Sequence, residues 1–144
     1  MLDSGIENLK NILKQHSIKL THTRIIILKY LLENRYHPSV KEIYKDLSKK
    51  YPSLSKTTIY NTLKTFIKKN IIIELPLNNE EMLYDINLTP HAHFRCLKCK
   101  KIYDISIDKN YFANFENKLN GNKVYNTLII IQGLCKNCQK KLRK

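Results

Sequence analysis

Residues 51–75 read YPSLSKTTIYNTLKTFIKKNIIIEL. Within this stretch Ile59, Leu63, Phe66 and Ile67 recur at the spacing of a helix that buries one face, while Lys56, Tyr60, Asn61, Lys64 and Lys68 fall mostly on the other. The 18 residues from Ser53 to Asn70 hold four lysines and no acid. The character then changes at once. IIIEL, and MLYDI beyond Pro76 and Asn78-Asn79, alternate and punctuate as a β-hairpin does. A basic amphipathic helix followed directly by a two-stranded wing is the reading end of a winged helix-turn-helix.

Upstream, the pattern supplies the helices that such a reader packs against. Ile6, Leu9, Ile12 and Leu13 recur at helical spacing, and Thr21 can cap a second helix with apolar positions Ile27, Leu28, Leu31 and Leu32. After Pro38 the pattern restarts with Val40, Ile43, Tyr44 and Leu47. Downstream of about residue 84 the chain is strand-rich, with HFRCL, KIYDI and KVYNTLIII, and NYFANFENKL as its one predicted helix. The expected fold is α+β: a winged-helix domain over residues 1–83, then a small α/β domain over 84–144, joined by the short segment Asn87–Pro90. A domain of roughly 60 residues is near the lower limit for a hydrophobic core alone, so a metal or a partner subunit is expected.

Composition narrows the partners. Twenty-six Lys and Arg against 12 Asp and Glu give +14, a charge that attracts nucleic acid or, as alternatives, an anionic membrane or an acidic protein. Charge alone does not choose among these, and no membrane partner is expected; the sequence has no apolar run of 18 or more residues, and its start, MLDSGIENLK, lacks the charged and apolar regions of a signal peptide. The expected address is the cytoplasm.

In that reducing compartment Cys96-x-x-Cys99 and Cys135-x-x-Cys138 read as two knuckles of one tetrahedral, structural Zn(II) site rather than as disulfides. Four thiolates around Zn(II) carry a net charge of minus two, which Lys98, Lys100, Lys101, Lys136, Lys140 and Lys141 offset. Neither pair is expected at the strand-to-helix junction of a βαβ unit, where a thioredoxin-like redox motif belongs. His91 and His93 flank Ala92 in a predicted strand, so both project to one side. Spacing alone leaves open whether they are ligands or surface residues, and whether they meet Asp85, Asp104 and His37. Three imidazoles and two carboxylates together suit Fe(II), Mn(II), Co(II) or Zn(II).

LTHTR, HPSVKEIY, YPSLSKTTIYNTLKTF, YDI followed by HAHFRCLKCKKIYDI, and the closing GLCKNC occur in the order and spacing of the ferric uptake regulator (Fur) family, which the chain resembles over nearly its whole length. Within that family it is most similar to the peroxide-sensing regulators. These usually have Asp where Asp104 stands and iron regulators Glu, while iron regulators usually have Arg where Asn61 follows Tyr60. The last strand, YNTLIIIQGLC, has no His, which places a third metal site in doubt. Two positions depart from the family pattern: Thr21-His22-Thr23-Arg24 lacks its proline, and Arg95 stands where an uncharged residue is usual.

The resemblance implies a homodimeric repressor on a palindromic operator in double-stranded DNA. It implies His37, Asp85, His91, His93 and Asp104 as ligands of a regulatory Fe(II) or Mn(II), with His37 or His91 oxidised when peroxide meets Fe(II). Candidate DNA contacts are Arg24, Lys56, Thr57, Thr58, Tyr60, Asn61 and Lys64. An iron- or zinc-uptake regulator is the near alternative. A metalloenzyme would need a placed base, nucleophile or substrate cleft, for which the sequence has no signal, and a zinc-ribbon interaction module would leave the basic helix and wing unused.

Overall fold

A computed structural model describes residues 5–76, 81–86, 91–124 and 127–143, apart from the side chains of Phe112 and Glu116. It falls into two units, residues 1–88 and 89–144.

The first unit contains α1 (Ile6–Gln15), α2 (His22–Glu33), α3 (Val40–Leu47) and α4 (Lys56–Lys68), then an antiparallel hairpin of β1 (Ile73–Leu75) and β2 (Leu83–Asp85). The helix starts are encoded locally. The side chains of Thr21, Ser39 and Ser55 each accept the backbone N–H three residues on, and Glu42 returns a bond to the Ser39 N–H, closing a capping box. At the far end of α4, Asn70 takes a left-handed backbone (φ 59°) and the Ile71 N–H reaches back to the Phe66 carbonyl at 2.9 Å, the Schellman arrangement that stops the reader and launches the wing.

Packing follows the apolar pattern with two corrections. Ile6 was expected inward but is 61% exposed, because α1 buries only Leu9, Ile12 and Leu13. Helix α2 is more buried than its periodicity indicated: Ile26 and Tyr30 join Ile27, Leu28, Leu31 and Leu32 in the core. It packs against both α1 and α4, so more than one of its faces is covered. Ile43, Ile59, Leu63, Phe66, Ile72 and Tyr84 complete a core that ties the wing to the helices.

The second unit is a three-stranded sheet in the order β4-β3-β5, with β3 (His91–Cys96) antiparallel to β4 (Ile102–Ser106) and parallel to β5 (Ile130–Gly133). Helix α5 (Lys109–Glu116) connects β4 towards β5, and α6 (Lys136–Leu142) closes the chain. Among the described residues the long strand expected over KVYNTLIII is strand only from Ile130, and α6 was not expected at all, because its lysines leave no apolar stripe to see. The sequence-based boundary between residues 83 and 84 runs through β2, whose three residues all lie in the first unit. Asn78-Asn79 and Asn87–Pro90 lie outside the described residues. Among the described residues no helix is long and apolar enough to cross a membrane.

Candidate metal centres and nucleic-acid surface

In the second unit the two knuckles converge. Cys96 ends β3 and Cys99 follows in the turn, while Cys135 caps α6 and Cys138 lies within it. Their sulfurs form a group in which Cys99 Sγ and Cys135 Sγ are 3.8 Å apart. That separation is the edge, about 3.8 Å, of a tetrahedron of sulfurs each about 2.3 Å from a central Zn(II). Backbone bonds fix the approach: the Cys135 N–H donates to Cys96 Sγ at 3.3 Å and the Leu97 N–H to the Gly133 carbonyl at 2.8 Å.

The electrostatics point the same way. N–H groups of Cys135 and Cys99 bring the Cys96 thiol down to about 5, and the Cys138 N–H lowers Cys135. Burial, with the neighbouring sulfurs, pushes Cys138 up to about 12. Four thiols so close cannot all ionise unless a cation sits among them, and Zn(II) is the ion this donor set suits. Cys96, Cys135 and Cys138 with Phe94 are also a packed cluster of this unit, so the same atoms serve as core and ligand shell.

The histidine pair lies one strand-length from this cluster, on β3. His91 and His93 share a face of the strand, with Nε2 atoms 3.0 Å apart. Register supplies the carboxylate: His93 is directly opposite Asp104 on β4, and their Nε2 and Oδ1 atoms are 3.5 Å apart. Two imidazoles bound side by side to one ion at about 2.1 Å would have nitrogens about 3.0 Å apart, so the spacing fits a shared ion.

The first unit presents a second pair. His37 lies in the turn between α2 and α3 with a left-handed backbone (φ 65°), a conformation histidine tolerates better than most residues but one disfavoured before Pro38. Pairing with the wing holds it there: the Tyr84 N–H donates to the Pro38 carbonyl at 3.0 Å, and Ser39 bridges Leu83. This brings His37 Nε2 to 3.6 Å from Asp85 Oδ2, both side chains buried.

On α4 the outward residues are as expected: Lys56, Thr57, Thr58, Tyr60, Asn61 and Lys64 are all exposed. Two lysines rest on aromatic rings, Lys64 Nζ 4.8 Å above Tyr60 and Lys56 Nζ 5.3 Å above Tyr44, which holds each cation at the surface. Thr58 is exposed but its hydroxyl is engaged with Ser55 Oγ at 2.9 Å. Arg24 donates to the Lys19 carbonyl at 2.8 Å and so braces the loop ahead of α2. In the position that lacks the family proline, His22 meets Tyr51 edge-on, ring centroids 5.5 Å apart.

Sequence reading missed a network next to the His37 turn, in which the buried Tyr30 meets the exposed Tyr36 and Asp46. The Tyr30 hydroxyl donates to Asp46 Oδ2 at 2.6 Å and lies 2.6 Å from the Tyr36 hydroxyl, with its own ionisation pushed far up by burial and by these bonds. A tyrosine at an apolar helix position was the available signal.

A winged helix with a four-cysteine cluster and His/Asp donor pairs defines a metal-binding DNA-binding protein. The family model of the Ferric uptake regulator family matches residues 15–131, and the chain belongs to that family. Winged-helix DNA binding, metal-dependent repression and dimerisation follow from membership, and the family is one of transcriptional regulators rather than enzymes. The chain is 35% identical over 130 residues to the peroxide-responsive repressor PerR of Staphylococcus aureus strain Mu50, covering 90% of this chain and 88% of that protein. Its fold matches the Campylobacter jejuni peroxide stress regulator with a TM-score of 0.68 at 29% identity, covering 92% of this chain and 97% of the other. It matches the Helicobacter pylori ferric uptake regulator Fur, described as having three functional metal binding sites, with a TM-score of 0.74 at 26% identity, covering 96% and 94%.

Proposed function

We propose that this chain is a cytoplasmic, homodimeric repressor that binds a palindromic operator when a regulatory metal is bound and releases it on exposure to hydrogen peroxide. Cys96, Cys99, Cys135 and Cys138 hold structural Zn(II). His37, Asp85, His91, His93 and Asp104 form one regulatory set for Fe(II) or Mn(II). The observation that carries this reading is the division of the donors: His37 and Asp85 stand 3.6 Å apart in the first unit, and His91, His93 and Asp104 stand at ligand spacing in the second. Neither group is a complete shell, so one ion bound to both would fix the reading helices relative to the dimer. Two half-sites about one DNA turn, roughly 34 Å, apart would then be met together.

Fe(II) held by these residues would supply activation of hydrogen peroxide, one oxygen of which would replace a ring C–H hydrogen of His37 or His91 while the other leaves as water, the imidazole being oxidised as the peroxide is reduced. The protein's part is to hold those rings in place and let the hinge loosen when a ligand is lost. A ligand-driven switch of this kind needs a coupling of about 1–3 kcal/mol between metal and DNA. Zinc-bound thiolates are slower targets for the oxidant than open ones. Similarity to peroxide-responsive relatives, with Asp104 and Asn61, supports this signal over metal supply.

The test is DNA binding by the Fe(II), Mn(II) and metal-free proteins, each with and without peroxide, against an operator selected from a random duplex pool. Binding in excess of that to a random-sequence duplex should require metal, and peroxide should abolish that excess only for Fe(II), with one oxygen atom gained on a His37 or His91 peptide by mass spectrometry. Peroxide-insensitive binding that tracks metal supply would make the protein an uptake regulator, and oxygen confined to cysteine peptides would refute histidine oxidation.

A further inference from the structure

The charge of this protein is concentrated where DNA reading does not occur. Residues 1–88, which contain the reading helix, have 14 Lys and Arg against nine acids, a net +5, whereas residues 89–144 have 12 against three, a net +9. Much of that excess sits around the cysteine cluster. Residues 94–103 contain Arg95, Lys98, Lys100 and Lys101, residues 134–144 contain Lys136, Lys140, Lys141, Arg143 and Lys144, and neither segment has an acid. The cluster unites these segments, since Cys135 N–H meets Cys96 Sγ at 3.3 Å and Leu97 N–H meets the Gly133 carbonyl at 2.8 Å.

Seven of these cations, Lys98, Lys100, Lys101, Lys136, Lys140, Lys141 and Arg143, are exposed. None forms an ion pair among the described residues. A zinc-tetrathiolate core would neutralise two of the charges. The remainder repel one another at a cost in stability and make a field that concentrates polyanions. Lys136 and Lys140 are one helical turn apart on α6, so they share a face, as phosphate-tracking lysines do.

We propose that the zinc-knuckle face of residues 89–144 is a second DNA-binding surface, one that grips duplex phosphates without reading sequence and does so whether or not the regulatory metal is bound. The proposal rests on the reading of this chain as a DNA-binding regulator. Its role would be to keep the released repressor on DNA, close to its operator, while α4 is disengaged. Lysine suits it, as a point charge that holds backbone and carries no base information.

The test measures binding of the full-length, zinc-loaded protein, without regulatory metal, to a random-sequence duplex across a salt series. Lys136→Gln/Lys140→Gln/Lys141→Gln should reduce the slope of log K against log salt by about 0.9 for each lysine that meets a phosphate, up to roughly 2.7. Lys98→Gln/Lys100→Gln/Lys101→Gln, on the other knuckle, should do likewise, so a folding defect of one variant cannot decide the matter. The control Lys14→Gln/Lys109→Gln/Lys118→Gln removes the same charge from exposed positions elsewhere and should leave the slope unchanged. Zinc content must match wild type in every protein compared.

An unchanged slope in both knuckle variants, or an equal loss in the control, overturns the proposal. So does loss of binding to phosphatidylserine vesicles with duplex binding intact, which would assign the face to a membrane. Metal-dependent binding to a selected operator should survive in the variants. Its absence from wild-type protein would instead refute the regulator reading and leave the test of this face standing.

Discussion

The Nε2 of His37 lies 3.6 Å from Oδ2 of Asp85, although one belongs to the turn between α2 and α3 and the other ends the wing. The contact is built by backbone pairing between Pro38-Ser39 and Leu83-Tyr84, so the wing strand and the turn place each other. Burial of both side chains leaves the carboxylate little water to lean on. His37→Ala and Asp85→Ala should therefore each raise the Mn(II) concentration needed for half-maximal operator binding by at least about ten-fold, an effect of the size that altered ligand shells produce. A Mn(II) titration followed by fluorescence anisotropy reads this directly. Unchanged midpoints would make the pair a structural contact only.

The second unit should stand or fall with its zinc. Its buried described residues include Ala92, His93 and three of the four cysteines, a small apolar core for some 56 residues. Cys138→Ser, or a strong chelator, should remove hydrogen-exchange protection from β3, β4 and β5 while α1 to α4, with their own core of leucines and isoleucines, keep theirs. Retained protection in β3 would mean that the sheet holds itself.

Much of this was legible beforehand, for identifiable reasons. Ile59, Leu63 and Phe66 announce α4 because a helix with one wet face must repeat its apolar residues, and the two Cys-x-x-Cys pairs announce a tetrahedral site because their spacing has few other uses. Asp104 opposite His93 depended on strand register, which hydrophobic pattern specifies only to a face. His37 beside Asp85 was hidden from spacing altogether, since a backbone bridge between a turn and a wing strand leaves no periodic trace. Helix α6 was missed because its burial consists of ligand sulfur and its remaining residues are mostly lysine and polar.

Alkaline pH should weaken the first unit through its tyrosines. Burial, then Glu74 and Tyr60, raises the Tyr84 hydroxyl to about 12, and Tyr30 is displaced in the same direction between Asp46 and Tyr36. An unfolded tyrosine ionises near 10. The folded state thus keeps protons that the unfolded state gives up, so this contribution is intact below about pH 10 and lost as pH rises through 10 towards 12. Urea midpoints should fall over that window, and Tyr84→Phe should flatten the fall. A fall of equal steepness in Tyr84→Phe would assign the effect to other groups.

On α4, Lys64 and Asn61 should fail differently. Lys64 stands 4.8 Å over the Tyr60 ring, which limits the freedom it would lose on meeting a phosphate. Lys64→Ala should weaken binding to all duplexes alike and reduce the salt slope by about 0.9. Asn61, one residue on from Tyr60 and exposed, has the donor and acceptor that match the edge of adenine. Asn61→Ala should cost about 1–3 kcal/mol on the selected operator and little on random duplex, with the slope unchanged. Tyr60→Phe should keep the seat of Lys64, and Tyr60→Leu should mimic part of the Lys64 loss. If Lys64→Ala proved operator-selective, or Asn61→Ala weakened every duplex equally, the assigned roles of phosphate grip and base reading would be reversed.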